Sequence, residues 1–166
     1  MVGKICAGLI VADSAAAGKH AAECYQNVKS NFIRKKGLIL LAYQVSVIGS
    51  FRKRYEEVVK TVTILREMGL SILSPIGSNI CKSIEDFVIF ETDNPEYSPE
   101  EIQMITLEKI LNSDAVYVCD FNGYVGKTTC YEIGFCYSRN KPLYFLEKPK
   151  DLPILVDKSQ IISPED

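Results

Sequence analysis

The chain has 166 residues, 47% hydrophobic and 24% charged, a balance that suits one soluble domain and excludes a disordered chain. The formal net charge is −2 and the one basic run, Arg34-Lys35-Lys36, reads as a solvated turn. Duplex nucleic acid, which needs a wide basic face, is therefore not an expected partner.

In chain order, Ile5–Ala12 reads as a first strand, too short to span a bilayer and without a cleavage-site pattern after it. No membrane association is expected. Ser14–Lys29 has the pattern of a helix and Leu38–Ile48 that of a long strand ending at Gly49-Ser50. Over 52–68, Tyr55, Val58, Val59, Val62, Leu65 and Met68 follow the spacing of a helix with one buried face, closed by Gly69. Ser71–Leu73 is a short strand, followed by an irregular stretch to about residue 97 in which Ser83–Phe90 is read as one or two helical turns. Ser98, Pro99 and Glu101 mark a helix start running to about Asn112, with Ile102, Ile105 and Ile110 on one face. Ala115–Cys119 is a buried strand, Thr129–Arg139 a helix and Leu143–Leu146 a strand. The tail, with Ile154, Leu155, Val156, Ile161 and Ile162, is expected along an edge.

This alternation predicts an α/β fold: a Rossmann- or flavodoxin-like three-layer arrangement with a mostly parallel sheet of about five strands, in a single domain over 1–166. The six cysteines, at 6, 24, 81, 119, 130 and 136, include no C-x-x-C pair, and the lone His20 completes no zinc cluster. No metal and no cofactor are expected, and a reduced, cytoplasmic setting is the simplest reading.

Ligands of such sheets bind beyond the carboxyl ends of the strands. Two segments there carry suitable chemistry. In Gly49-Ser50-Phe51-Arg52 a strand breaks into a helix: the glycine admits a ligand to the backbone, free N–H groups face an anion, and Arg52 adds charge. An ordinary turn with Ser50 as a cap explains the same residues. The second is the loop from Cys119 to Glu132, where Asn122, Gly123, Gly126, Lys127, Thr128 and Thr129 can hold a phosphate or sugar hydroxyls. Gly126-Lys127-Thr128 is not a P-loop, because the glycine required at residue 121 is Phe121. Glu132 falls in the first turn of the following helix. Thr129-x-x-Glu132 equally fits a capping box, in which Glu132 only bonds back to the Thr129 N–H.

Three ordered blocks carry a resemblance. Ile48-Gly49-Ser50-Phe51-Arg52, Lys109-Ile110-x-x-x-Asp114-Ala115, and Asn122-Gly123-Tyr124-Val125-Gly126-x-x-Thr129-x-x-Glu132-Ile133-Gly134 before Asn140-Lys141-Pro142 together resemble the nucleoside 2-deoxyribosyltransferase family and its relatives that hydrolyse deoxynucleoside monophosphates. The match spans about residues 45–147. It implies cleavage of an N-glycosidic bond, with Glu132 as a nucleophile that forms a glycosyl ester, captured by a second nucleobase in transferases or by water in hydrolases. It also implies a nucleoside or nucleotide ligand, beside the Gly49–Arg52 turn and the Asn122–Thr129 loop, and a homodimer or larger homo-oligomer. The family's aspartate, eight residues before the position of Asp114, is here Thr106, whose hydroxyl cannot act as a general acid near neutral pH. Acids of the irregular stretch, Glu85, Asp86, Glu91 or Asp93, are candidates to take its place. Asp114 itself fits a solvated turn as well as a ligand contact. A non-catalytic nucleotide-binding or sensor module is the alternative that Thr106 motivates. A phosphoribohydrolase of the lysine-decarboxylase-like type ranks behind both, because residues 122–132 lack its adjacent glycines.

Overall fold

A computed structural model of the protein describes residues 43–77, 79–84 and 87–164. They belong to one compact unit, residues 37–166. The expected strand Ile5–Ala12, the helix Ser14–Lys29, the basic turn at 34–36 and the start of the Leu38–Ile48 run lie outside the described residues.

Among the described residues the fold is α/β. Strands β1 (Gln44–Gly49), β2 (Ser71–Ser74), β5 (Ala115–Cys119) and β6 (Leu143–Phe145) form one sheet in the order β2-β1-β5-β6, every pairing parallel. Helices α1 (Tyr55–Glu67), α2 (Pro99–Asn112) and α3 (Lys127–Ser138) connect them. All carboxyl ends of the strands therefore lie on one edge, and the order reverses between β1 and β5, as in Rossmann- and flavodoxin-like folds.

Two clusters of side chains use alternate residues of the strands. Val58, Val62 and Leu65 of α1 pack with Val45, Val47, Ala115, Tyr117 and Cys119. Leu107 and Ile110 of α2, with Ile133 and Cys136 of α3, pack with Ile48, Val116, Val118 and Phe145. Period-two strands facing period-3.6 helices produce this division. The expected Ile105 is only half-buried, and Leu107 takes its place in the core.

The start of α2 is as expected. The Ser98 hydroxyl accepts from the Glu101 N–H (3.2 Å), and the Glu101 carboxylate accepts from the Ser98 N–H (2.8 Å). Two expectations need correction. Ser83–Phe90 is not helical: β3 (Ile80–Ile84) and β4 (Phe87–Phe90) form an antiparallel pair, with Ser83 opposite Val88 and Ile80 opposite Phe90. The run Phe87-Val88-Ile89-Phe90 is aromatic and β-branched, which suits a pleated surface better than one helical turn. Helix α3 begins at Lys127 rather than Thr129, with Gly126 as its N-cap. The tail does pack along the β6 edge. The Ile162 N–H donates to the Phe145 carbonyl (2.8 Å) and the Tyr117 hydroxyl to the Ile162 carbonyl (2.6 Å), while Leu155 is exposed.

Candidate functional site

The β1 and β5 ends are adjacent, Gly49 lying in register with Cys119. A Cβ at Gly49 would stand 3.0 Å from the Cys119 Cβ and 3.1 Å from its carbonyl oxygen, so only glycine lets the two strand ends approach this closely. The Ser50 carbonyl then accepts from the Lys53 and Arg54 N–H groups (3.1 and 2.8 Å), forming a tight turn ahead of α1. Neither Arg54 before α1 nor Gly126 before α3 caps its helix with a side chain. Both helix starts thus offer unsatisfied N–H groups at the same edge of the sheet.

Between these loops lies a cleft of about 250 Å³. Of the residues singled out from the sequence, Gly49, Ser50, Phe51 and Arg52 line it on one side, and Gly126, Lys127, Thr128, Thr129 and Glu132 on the other. Thr106 of α2 also lines it, with its hydroxyl donating to the Ile102 carbonyl of its own helix (2.9 Å). Asn122, Gly123 and Asp114 are placed elsewhere. The Asn122 N–H donates to the Glu147 carboxylate (2.9 Å). Gly123 has φ +70°, and a Cβ there would meet the Lys148 carbonyl at 2.6 Å. These two residues shape the loop by packing it against residues 147–150. The Asp114 carboxylate accepts from the Gln44 N–H (2.7 Å), which fastens the start of β5 to the start of β1.

The position of Glu132 decides between its two readings. Thr129 lies inside α3, so it is not an N-cap, and the capping box does not form. Glu132 is 8% exposed, and its carboxyl has no hydrogen-bond partner among the described residues. Removal from water, uncompensated, pushes its pKa up to about 8. Its charge in turn helps to raise the thiol of Cys136, one turn on, for which burial is the larger cause.

Asp120, at the end of β5, is fully buried yet does not line the cleft. Its Oδ1 accepts from the Glu147 N–H (2.9 Å), while Oδ2 has no partner among the described residues. Burial is the main cause that lifts its carboxyl to about 6. The Glu147 N–H opposes the rise, and the Glu147 charge adds to it.

Several lining residues were not singled out from the sequence: Val88 and Phe90 of β4, Thr92 beyond it and Gln103 of α2; Lys109 and Tyr124, quoted in the blocks that carry the resemblance, line it too. Of the four acids named as alternatives, Glu85 and Asp86 lie outside the described residues; Asp93 lines the cleft and Glu91 does not. Phe90 meets Phe51 edge to face, with ring centres 5.2 Å apart and planes at 85°, which joins the β3–β4 pair to the Gly49–Arg52 turn. The Lys53 ammonium donates to the Tyr124 hydroxyl (2.9 Å), joining that turn to the opposite loop. The aromatic and β-branched run 87–90, followed by polar residues, was the available signal for this wall.

No protein-family model, curated protein or solved structure matches the chain. Among the described residues, no group of three His, Cys, Asp or Glu side chains is placed to hold a metal, and no helix is long and apolar enough to cross a membrane.

Proposed function

We propose that the protein cleaves the N-glycosidic bond of a nucleoside or nucleotide, as a 2-deoxyribosyltransferase or deoxynucleotide N-hydrolase, with Glu132 as the nucleophile. One observation carries the reading: a carboxyl 8% exposed, without a hydrogen-bond partner among the described residues, lines a cleft where the strand order reverses. Such a group is costly to keep buried unless a ligand completes it. Ionised Glu132 attacks C1′, the C1′–N bond breaks with its electron pair passing to the base, and a glycosyl ester forms. A second nucleobase or water then takes the sugar and frees the carboxylate. The cleft volume, about 250 Å³, lies just below the usual range for small-molecule sites and limits the occupant to one small ligand of about nucleoside size. The division of side chains between α1 on one hand and α2 and α3 on the other supports a three-layer Rossmann- or flavodoxin-like domain, built among the described residues on a four-stranded parallel sheet. The same reading makes the protein a cytoplasmic homodimer or larger homo-oligomer of nucleotide metabolism.

The test is chromatography for free base after incubation with a panel of deoxynucleosides and deoxynucleotides. We expect release by the wild type and a loss of at least about 10³-fold in Glu132→Gln, on the scale of removing a nucleophile. Unchanged activity in Glu132→Ala would exclude the proposed role.

Thr106 favours a second reading, a nucleotide-binding or sensor module that keeps the cleft without turnover, because its hydroxyl is committed to the Ile102 carbonyl. Thermal stabilisation by nucleotides with no base released from any of them would select it.

A further inference from the structure

The loop between β5 and α3 is tied to the segment after β6 by two carboxyls used reciprocally. Asp120 Oδ1 accepts from the Glu147 N–H (2.9 Å), and the Glu147 carboxylate accepts from the Asn122 N–H (2.9 Å). One residue on, the Lys150 N–H donates to the Gly123 carbonyl (3.0 Å). Between these bonds the chain passes through two left-handed residues, Asn122 (φ 57°) and Gly123 (φ 70°). A left-handed asparagine is unfavourable by itself, so the bonds around it hold the loop in this path. The loop leads directly to Tyr124 and Gly126, which line the cleft, and Gly126 is the N-cap of α3. The tie therefore sets one wall of the cleft.

The Asp120 carboxyl is the vulnerable part of this tie. It is fully buried, and its Oδ2 has no hydrogen-bond partner among the described residues. Ionised in that place it bears an uncompensated charge, a cost removed by any conformation that returns it to water. The titratable groups that bear on it are Glu147, after β6, and Tyr117 and Cys119 of its own strand. None is a cation. Burial pushes the Cys119 thiol up to about 12 and raises the Tyr117 phenol, so both are neutral where Asp120 titrates. Glu147 is then the group whose charge opposes ionisation of Asp120.

We infer that Asp120 and Glu147 form a proton-operated latch on the loop between β5 and α3: the loop is held while Asp120 carries a proton, and ionisation of Asp120 favours its release together with the cleft wall that it forms. The latch is independent of what the cleft does to its ligand. In the closed loop burial lifts the carboxyl from 3.8 to about 6, against the Glu147 N–H and with the Glu147 charge. In the open loop, exposed to water, the carboxyl returns to its ordinary value. The raised group stabilises the closed form fully below about pH 3.8, and that advantage is lost as pH rises to about 6. Between pH 4 and pH 7 the ratio of open to closed loops rises about 50-fold.

Amide hydrogen exchange of the whole chain, at closely spaced pH values from 4 to 7 and corrected for the intrinsic rate at each, tests the latch. The reporting amides are those of Asn122, Gly123, Tyr124, Glu147 and Lys150, each a hydrogen-bond donor in or beside the tie. In the wild type their protection should fall about 50-fold across this range, and should stay below that of the β1 and β5 amides, as local opening requires. In Asp120→Asn, whose amide oxygen can still accept from the Glu147 N–H, the fall should shrink to less than about 3-fold. Glu147→Gln keeps the backbone donor and removes the like charge, so the fall should move to lower pH. Glu132→Gln should leave it as in the wild type. A full fall persisting in Asp120→Asn, a shift to higher pH in Glu147→Gln, or a fall abolished by Glu132→Gln overturns the assignment to this pair. Loop amides exchanging at the rate of β1 and β5 show that no separate opening occurs, and a Tyr124 amide that keeps its protection while the others lose theirs shows that the latch stops short of the cleft. Either result overturns the inference.

Discussion

Burying a carboxyl without a partner leaves a mark on stability that does not depend on any substrate. Glu132 is raised from 4.5 to about 8 and Asp120 from 3.8 to about 6, each chiefly by desolvation. In both windows the folded chain holds a proton that the unfolded chain has released. The unfolding free energy therefore falls as pH rises, from about 3.8 to about 6 for Asp120 and from 4.5 to about 8 for Glu132. For Glu132 the full effect is on the order of 5 kcal/mol, a large part of the stability of a domain this size. Urea unfolding at closely spaced pH values should show wild-type stability declining between about pH 6 and 8, beyond the Asp120 window. In Glu132→Gln, neutral at every pH, that part of the slope should vanish while the decline below about pH 6 remains. An unchanged slope in the variant would mean that Glu132 is not held protonated in the folded cleft.

At the scale of elements, the β3–β4 pair forms the wall of the cleft that bears Asp93, and its described tie to the Gly49–Arg52 turn is the Phe51–Phe90 contact. Phe90→Ala removes an edge-to-face pair and part of a half-buried ring. The urea midpoint should drop by about 1–2 kcal/mol equivalent, with the amides of 80–90 losing more hydrogen-exchange protection than those of the main sheet. A uniform loss over all amides would show the pair to be integral to the main fold. This wall is also where the sequence was least readable. Phe87-Val88-Ile89-Phe90 is a length that either a strand or a helical turn accommodates, and its partner, Ile80-Cys81-Lys82-Ser83-Ile84, lacks a clean alternation. Pairing of this kind depends on two segments meeting, which no local pattern encodes. The start of α2 was readable because the Ser98–Glu101 bonds lie within four residues, and β5 because five consecutive residues are buried. The start of α3 was misplaced because Gly126 leaves no side-chain capping signal while Thr129 and Glu132 imitate one. The two loops of the candidate site were legible through their glycines, hydroxyls and cations. The placement of Asp93 on the cleft was not, since it depends on the fold of the β3–β4 wall.

For the whole molecule, charge and site run in opposite directions. The chain carries 19 Lys and Arg against 21 Asp and Glu, a formal charge of −2. Around the cleft, Arg52, Lys53, Lys109 and Lys127 stand against Asp93 and Glu132. With its pKa near 8, Glu132 is about one-tenth ionised at pH 7, so the cleft is more positive than its residue types suggest. A concave site with low-dielectric walls concentrates that potential. An anionic ligand should therefore be preferred to its neutral counterpart. A deoxynucleoside monophosphate should raise the unfolding temperature more than the matching deoxynucleoside at equal concentration. At a hundredfold excess over Kd the stabilisation is about 2.7 kcal/mol, roughly 5–10 °C for a domain of this length. Raising the salt from about 0.05 to 0.5 M should narrow the gap between the two ligands, because most of the cations are exposed and screened. Lys127→Ala, an exposed change at the first position of α3, should narrow it too, with little effect on the unliganded protein. Equal shifts by both ligands at low salt would place the phosphate outside the field of these four side chains, and the positive cleft would then serve the sugar and base alone.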